Sequence, residues 1–478
     1  MTRARPLMPD LCVIGAGAGG LTVAAGAAQM GASVVLVEQG EMGGDCLNVG
    51  CVPSKALLAA GAAAQAVRDA DRFGIGVPDP EIDFAAVMRH VHGVIAEIAP
   101  VDSQERFEGL GVTVLRAPAR FLDARTVEAG GQRIRARRVV VATGSRPLVP
   151  PIPGLETVPV HTNETIFGLT ERPPHLLILG GGPIGCELAQ GFRRLGSRVT
   201  VVEMGVLLGR DDPELTAVVR ARLAAEGVDL REGRRADAVS GQAGAIRLRL
   251  AGPDDRTETV AGSHLLVAVG RRPVLEGLDL DAAGIAHTAR GITVDDGLRT
   301  TNRRVYAIGD VTGGPQFTHV AGFHGASVLK SALFRLPVKI SATPIPHVTY
   351  TDPELAWVGR SEAEVRAMHG DGMRVLRWPY RDNDRARTDR TTEGLVKVVT
   401  DRRGRVLGAG VVGRHGGEVL APWIVAVHRR LKVAALATMV APYPTLSETT
   451  KRAAGSAFTP GLFSPRTRRL VRLLARLG

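Results

Sequence analysis

Cys46 and Cys51 sit within the run Gly43-Gly44-Asp45-Cys46-Leu47-Asn48-Val49-Gly50-Cys51-Val52-Pro53-Ser54-Lys55, about thirty residues after a glycine-rich segment that begins at Gly15. Two of the chain's four cysteines are thereby placed where a dithiol could pass two electrons. Residues five apart on a regular α-helix point in different directions, and a disulfide needs its Cα atoms within about 7 Å. The segment must therefore break or turn between the two sulfurs. Asn48 and Gly50 supply that freedom, and Pro53 suits the first turn of a helix continuing through Lys55-Ala56-Leu57-Leu58. The competing reading is a structural crosslink or two plain buried thiols. A long chain with few cysteines has little reason to staple so short a loop.

The elements that must position this pair show as an internal echo. Leu11-Cys12-Val13-Ile14 reads as a strand running into Gly15-Ala16-Gly17-Ala18-Gly19-Gly20, then a small-residue helix to Met30 and a strand Ser33 to Val37 that ends at Glu38. Leu176-Leu177-Ile178-Leu179 runs likewise into Gly180-Gly181-Gly182-Pro183-Ile184-Gly185, with a helix to Leu195 and a strand Arg198 to Val202 that ends at Glu203. Each acid lies 23 residues after the first glycine of its loop. In such a loop Gly15 and Gly180 permit the tight turn, Gly17 and Gly182 let a pyrophosphate approach the backbone, and Gly20 and Gly185 let helix pack on strand. The helix N-terminus faces the phosphates, and Glu38 and Glu203 are placed to accept from ribose hydroxyls. Two such sites imply two nucleotides and electron transfer between them.

The expected fold is α/β, with two Rossmann-like dinucleotide-binding domains and a C-terminal α+β domain. Val139 to Gly144 and Leu265 to Gly270 are strands entering Gly turns, each followed by a proline-bearing crossing, and Val305 to Asp310 resumes the first domain. The boundaries read as 1–150 and 274–343 for the first nucleotide domain, 151–273 for the second, and 344–478 for the last, where strands such as Gly394 to Val399 alternate.

Composition agrees with a globular chain: 478 residues, 45% hydrophobic and only 4% aromatic, with 58 glycines. Four cysteines are too few for a secreted disulfide framework, so a reducing, cytoplasmic compartment is expected. The Arg-bearing start, Met1 to Arg5, reads as the approach to a buried strand rather than a signal peptide. No clean apolar run of about 18 residues is evident, the nearest, Leu420 to Val440, being broken by His428 to Lys432. The net charge of +12 permits nucleic-acid binding, but no basic-aromatic interleaving supports it. The basic tail Arg466 to Leu477 reads as a short amphipathic helix covering its own protein, with docking on an anionic membrane as the alternative. Cys12 and Cys186 read as small core residues.

Taken in order, the Cys46/Cys51 run, both glycine loops, Ala142-Thr143-Gly144, Ala307-Ile308-Gly309-Asp310 and Thr351-Asp352-Pro353-Glu354-Leu355-Ala356 resemble the class I flavoprotein (pyridine nucleotide-disulfide) oxidoreductases over nearly the whole chain. That family includes dihydrolipoamide dehydrogenase, glutathione reductase and mercuric reductase. The resemblance implies one FAD per subunit on the first loop, with Glu38 on its ribose, Gly44, Ala142, Thr143 and Gly144 lining it, and Asp310 on its flavin side. A turn at Thr318-His319 would pass near the isoalloxazine. The second loop would hold the nicotinamide nucleotide, with Gly270 close by. Cys51 would be the flavin-proximal thiolate and Cys46 the interchange thiol. Lys55 would pair with Glu187 beside the flavin and stabilise the thiolate, whereas Asp45, next to Cys46, would disfavour one. Glu203 would repel a 2′-phosphate, which favours NADH over NADPH, although Arg210 could still reach a phosphate.

One position departs from the pattern. Lipoamide dehydrogenases and glutathione reductases have a His before Pro-Thr and a Glu shortly after. Here the run is Tyr443-Pro444-Thr445-Leu446-Ser447-Glu448. A phenol titrates near 10 against about 6.5 for imidazole, and lowering it by about three units costs roughly 4 kcal/mol. Tyr443 is thus a poor base at neutral pH, and His428 is a weak substitute that reads better as a packing residue. Mercuric reductases carry Tyr at this place but add a C-terminal cysteine pair, whereas this chain has no cysteine after Cys186. The implied enzyme is a homodimer that lends Tyr443 and Glu448 to its partner's site. It passes electrons from NAD(P)H through FAD and Cys46–Cys51 to a small thiol, disulfide or soft-metal acceptor of mercuric type. Dihydrolipoamide dehydrogenase, direct reduction of a quinone or dye by the flavin, and a non-catalytic flavoprotein subunit are the alternatives.

Overall fold

A computed structural model of the chain describes residues 5–252, 256–341 and 343–476; residues 1–4 of the Arg-bearing start and Leu477 of the tail lie outside them. Two parallel sheets carry the two glycine loops. In the first, strands lie in the order Val305–Ala307, Arg138–Val141, Leu11–Ile14, Val34–Glu38, Thr113–Arg116. In the second the order is His264–Val267, His175–Leu179, Arg198–Glu203, Asp229–Glu232. The runs of Val, Leu and Ile in these strands are buried on both faces, as parallel strands covered by helices must be. In each sheet the strand that feeds the glycine loop is internal, and the chain leaves it first to one side and later returns on the other. That places each loop at a topological switch point, where open α/β sheets bind ligands.

The echo extends further than the loops. Each nucleotide unit carries its own three-stranded antiparallel meander, Ala119–Asp123 to Gln132–Ile134 in the first and Arg235–Gln242 to Thr257–Gly262 in the second. The two proline-bearing crossings, Ser145–Pro147 and Arg271–Pro273, pair with each other as an antiparallel ribbon joining the two units.

The last region forms a five-stranded antiparallel sheet ordered His347–Thr349, Glu354–Gly359, Val406–Gly413, Leu395–Asp401, Met373–Pro379. Leu395–Asp401 is buried at five consecutive positions rather than alternating, because it is a central strand covered on both faces. Its Lys397, 4% exposed, meets Asp212 at 2.7 Å, Glu362 at 2.9 Å and Glu214 at 3.0 Å. A buried ammonium is tolerated only when paired in this way, and the cluster ties the sheet to the second nucleotide unit.

Three details differ from the sequence reading. Gly44–Arg68 has the length and hydropathy of a membrane span, 1.3 on average over 18 residues, because Ala and Leu carry it without a long-branched run. It is a core helix pair: Leu57, Gly61 and Ala64 are buried, and the longer helix packs on Pro183–Arg194 and Phe84–Asp102. The tail helix, Pro465–Leu474, has no buried residue along its length. His428 is exposed at the end of Gly416–His428 instead of packed.

Candidate active site

The cysteine segment breaks where its glycine falls. Gly44–Asn48 is one helical turn, Val49 and Gly50 leave helical geometry, and a second helix, Cys51–Arg68, starts on Cys51 itself with Pro53 in its first turn. The break turns the two thiols toward each other; they stand as free thiols linked by a hydrogen bond. Thr318 opens the helix Thr318–Phe334, so the expected turn at Thr318-His319 is a helix start, and its Oγ1 lies 3.3 Å from Cys51 Sγ. Cys51 therefore sits at the positive ends of two helices, a setting that favours thiolate. Donation from Cys46 is the chief cause that brings the Cys51 pKa down to about 6, with Thr318 and Lys55 helping against burial and Glu187. Cys46, bonded to Cys51 and partly buried, is pushed up and keeps its proton. The pair is thus polarised into one thiolate and one thiol.

Lys55, one turn along the helix from Cys51, donates from Nζ to Glu187 Oε2 at 2.7 Å and lies 4.3 Å from the centroid of the Tyr350 ring. The other Glu187 oxygen accepts from the Tyr350 N–H at 2.9 Å. Asp45 does not load Cys46 with negative charge as expected, because the Arg271 guanidinium binds its carboxylate. Arg271 also donates to Ser145 Oγ at 2.8 Å and to Asn163 Oδ1 at 3.1 Å, and Ser145 Oγ donates to Asp310 at 2.6 Å. Burial raises the Asp310 carboxyl above its ordinary range, and Ser145 partly offsets this. The Arg271–Asp45 pair and Tyr350 escaped the sequence reading. The signal for Arg271 was its place directly after Gly270, in the turn that echoes Gly144-Ser145.

One continuous cleft of about 2650 Å³ joins these groups to both glycine loops. That is well above the roughly 1,000 Å³ at the top of the usual range for a single small-molecule site, and it suits two dinucleotides. Gly15 and Gly180 both hold φ +106°, with a would-be Cβ against the carbonyl oxygens of Ala142 and Ala268. Gly20 and Gly185 press on the loop backbone, while Gly17 and Gly182 face open space, so the shape admits a phosphate at the middle glycine of each loop. Glu38 accepts from the N–H groups of Ala16 (2.5 Å) and Gly40 (2.7 Å), and Glu203 from those of Gly181 (2.7 Å) and Gly205 (2.9 Å). Gly44, Ala142, Gly144 and Asp310 line the first part of the cleft, and Gly270 and Arg210 the second. Thr143 borders the cleft but turns its hydroxyl onto the Val274 carbonyl at 2.8 Å. His319 borders it too, stacked on Phe317 with Nε2 2.8 Å from the Pro346 carbonyl.

Tyr443 and Glu448 are not brought to the thiols of their own chain. Tyr443 is 69% exposed and donates to Asp384, which holds the phenol pKa above its usual value. Glu448 opens the helix Glu448–Ser456 and pairs with Arg452 at 3.6 Å. Cys12 and Cys186 are fully buried, and burial raises the pKa of each, that of Cys12 to about 12.

Known proteins resemble this chain over most of its length. The family model described as pyridine nucleotide-disulphide oxidoreductase matches residues 9–325, and that family's dimerisation domain matches residues 345–454. A mercuric reductase of Streptomyces lividans is 38% identical over 453 residues, covering 93% of this chain and 95% of that protein. A dihydrolipoyl dehydrogenase of Thermus scotoductus is 37% identical over 455 residues, covering 92% and 95%. Among solved structures, the HOCl-induced flavoprotein disulfide reductase RclA from Escherichia coli superposes with a TM-score of 0.84 at 27% identity, covering 93% of this chain and 99% of that one. With both family domains in order and relatives matched nearly end to end, the chain belongs to the pyridine nucleotide-disulphide oxidoreductases and is an FAD-dependent disulfide oxidoreductase.

Proposed function

We propose that this enzyme uses NADH to reduce a soft, thiol-seeking acceptor, a mercuric-type metal ion or a small disulfide, at Cys46. The observation that carries the reading is the polarised dithiol: Cys51 favoured as thiolate and Cys46 holding its proton, both lining the one cleft. Bound FAD supplies the two-electron link between the nicotinamide and the cysteine pair. The chain's own work is to hold Cys51 ionised through Cys46, Thr318 and Lys55, and to hold Glu38 and Glu203 at the two riboses. Glu203 ends its strand with its charge against the second loop, which favours a free 2′-hydroxyl over a 2′-phosphate. A soft metal ion as substrate prefers thiolate ligands, and mercuric reductases stand among the relatives at up to 38% identity. A Cu(II) complex of RclA is also among the structural neighbours, at a TM-score of 0.82 and 28% identity.

The dimerisation domain supports a homodimer in which Tyr443 and Glu448 serve the other subunit's dithiol. A phenol held above its usual pKa by Asp384 stays protonated at neutral pH, where it can donate a hydrogen bond but is ill suited to the base work that dihydrolipoamide oxidation demands. The test is an acceptor panel of Hg(II) with excess thiol, glutathione disulfide, lipoamide and a quinone, run with NADH and NADPH side by side. The expected result is fastest turnover with NADH and Hg(II) or a disulfide, abolished in Cys46→Ser. Full turnover by that variant would show the flavin reducing its acceptor directly and would sink the dithiol route.

A further inference from the structure

After Glu448 the chain contains no Asp or Glu, and its last described helix is Pro465–Leu474. Pro465–Leu474 is properly started, with Pro465 in the first turn and Ser464 Oγ accepting from the Thr467 N–H at 3.2 Å. It is therefore a formed helix, and it buries no residue. Leu470, Leu473 and Leu474 are 54%, 57% and 54% exposed. At about 100° per residue these three and Val471 share one side, while Arg468, Arg469 and Arg472 fill the opposite side. Leu462 and Phe463, 60% and 66% exposed, extend the apolar side just upstream.

We propose that this tail helix docks the enzyme on an anionic membrane surface, lying in the plane of the interface with its leucines among the acyl chains and its arginines at the headgroups. Low overall hydrophobicity, a segregated apolar side and an arginine row are what such a helix requires. Charge decides against a second copy of the tail as occupant. Two tails face to face would set arginine row against arginine row, with no acid after Glu448 in either to meet them. An anionic leaflet complements that row. The apolar side in turn gives nothing to a nucleic-acid backbone, which is bound through charge. The proposal is independent of which acceptor the dithiol reduces.

The test is co-sedimentation of the full-length, FAD-loaded enzyme with phosphatidylcholine vesicles prepared with and without phosphatidylserine. Binding is expected to the phosphatidylserine vesicles, weakened by salt. Leu470→Glu/Leu474→Glu should cut the bound fraction by at least about tenfold, and Arg468→Gln/Arg472→Gln should flatten the salt dependence. Flavin content, NADH oxidation and dimer mass should be unchanged in both variants, since these side chains are exposed. Failure of the unaltered enzyme to bind, or undiminished binding by the leucine variant, overturns the proposal. A fall in dimer mass would assign the face to a second copy, and retention on duplex DNA without vesicle binding would assign the arginines to nucleic acid. Either overturns it as well.

Discussion

The loop at Gly15 and the loop at Gly180 share a backbone angle, a carbonyl neighbour and a carboxylate that reaches back to the loop N–H groups, yet they stand in different company. The first is closed over by the cysteine segment: Gly43 N–H bonds to the Ala16 carbonyl at 3.0 Å, and a Cβ on Gly44 would crowd Gly17. The second is bridged in the same way, the Leu208 N–H bonding to the Gly181 carbonyl at 2.9 Å, but that segment carries no cysteine, and Met204 and Val206 within it are 70% and 56% exposed. A duplicated loop geometry therefore sets only where a pyrophosphate lies. What a site does with its nucleotide follows from the segment packed against the loop, and only the first loop has the cysteine segment against it.

The largest test of that contrast is to strain each loop in turn. Alanine at either position must adopt φ +106° and meet a backbone carbonyl, which costs about 1–3 kcal/mol of strain. Gly15→Ala should purify with most of its flavin absorbance missing. Gly180→Ala should stay yellow and be reduced normally by dithionite, while its NADH turnover falls roughly 10–100-fold. If Gly180→Ala also lost its flavin, the two loops would not be serving separate nucleotides.

The next effect belongs to the cysteine segment alone. Following thiolate ultraviolet absorbance of the reduced protein against pH should give a midpoint for Cys51 of about 6. Cys46→Ala removes the first cause of that depression and should move the midpoint up toward the ordinary range, about 8.5. Cys51 would then be mostly protonated at pH 7, because the acid form takes over below the midpoint. An unmoved midpoint would mean that the helix ends and Lys55, rather than the partner thiol, ionise Cys51.

A smaller difference separates Glu38 from Glu203. Glu203→Ala should raise the ratio of kcat/KM for NADPH over NADH by about tenfold, as the charge opposing a 2′-phosphate is lost while Arg210 remains in the cleft. Glu38→Ala should weaken flavin retention and leave that ratio alone. A ratio unchanged in Glu203→Ala would remove the argument for NADH.

Much of this layout was readable in advance because it is local. A strand, a glycine loop and a helix lie within about thirty residues, and the Asn48-to-Gly50 break lies between the two cysteines it serves. What escaped was long-range. Arg271 meets Asp45 across 226 positions, so an acid that looked unpaired beside Cys46 is neutralised by a residue no local pattern connects to it. Tyr350 reaches Lys55 only because Glu187, buried in the second unit's helix, bonds both. The tail failed for the opposite reason. Its amphipathic period was plain, but a period states only that a helix has two sides, not what covers them.

The finest distinction lies within the Lys55–Glu187 pair, where the two units touch. Its members act on Cys51 in opposite directions, Lys55 lowering its pKa and Glu187 raising it. Lys55→Met should therefore move the Cys51 midpoint up, and Glu187→Gln should move it down, each by a few tenths to about one unit for a partly exposed charge. Glutamine keeps an acceptor for the Tyr350 N–H, so Glu187→Gln should unfold near the parent temperature. Lys55→Met leaves a carboxylate 5% exposed without its cation, and should cost about 1–2 kcal/mol in denaturant titration, less than a fully buried pair because Lys55 is itself 36% exposed. Midpoints moving the same way in both variants would mean that the pair acts on Cys51 by positioning the helix, and that the second unit contributes geometry but no field to the first unit's dithiol.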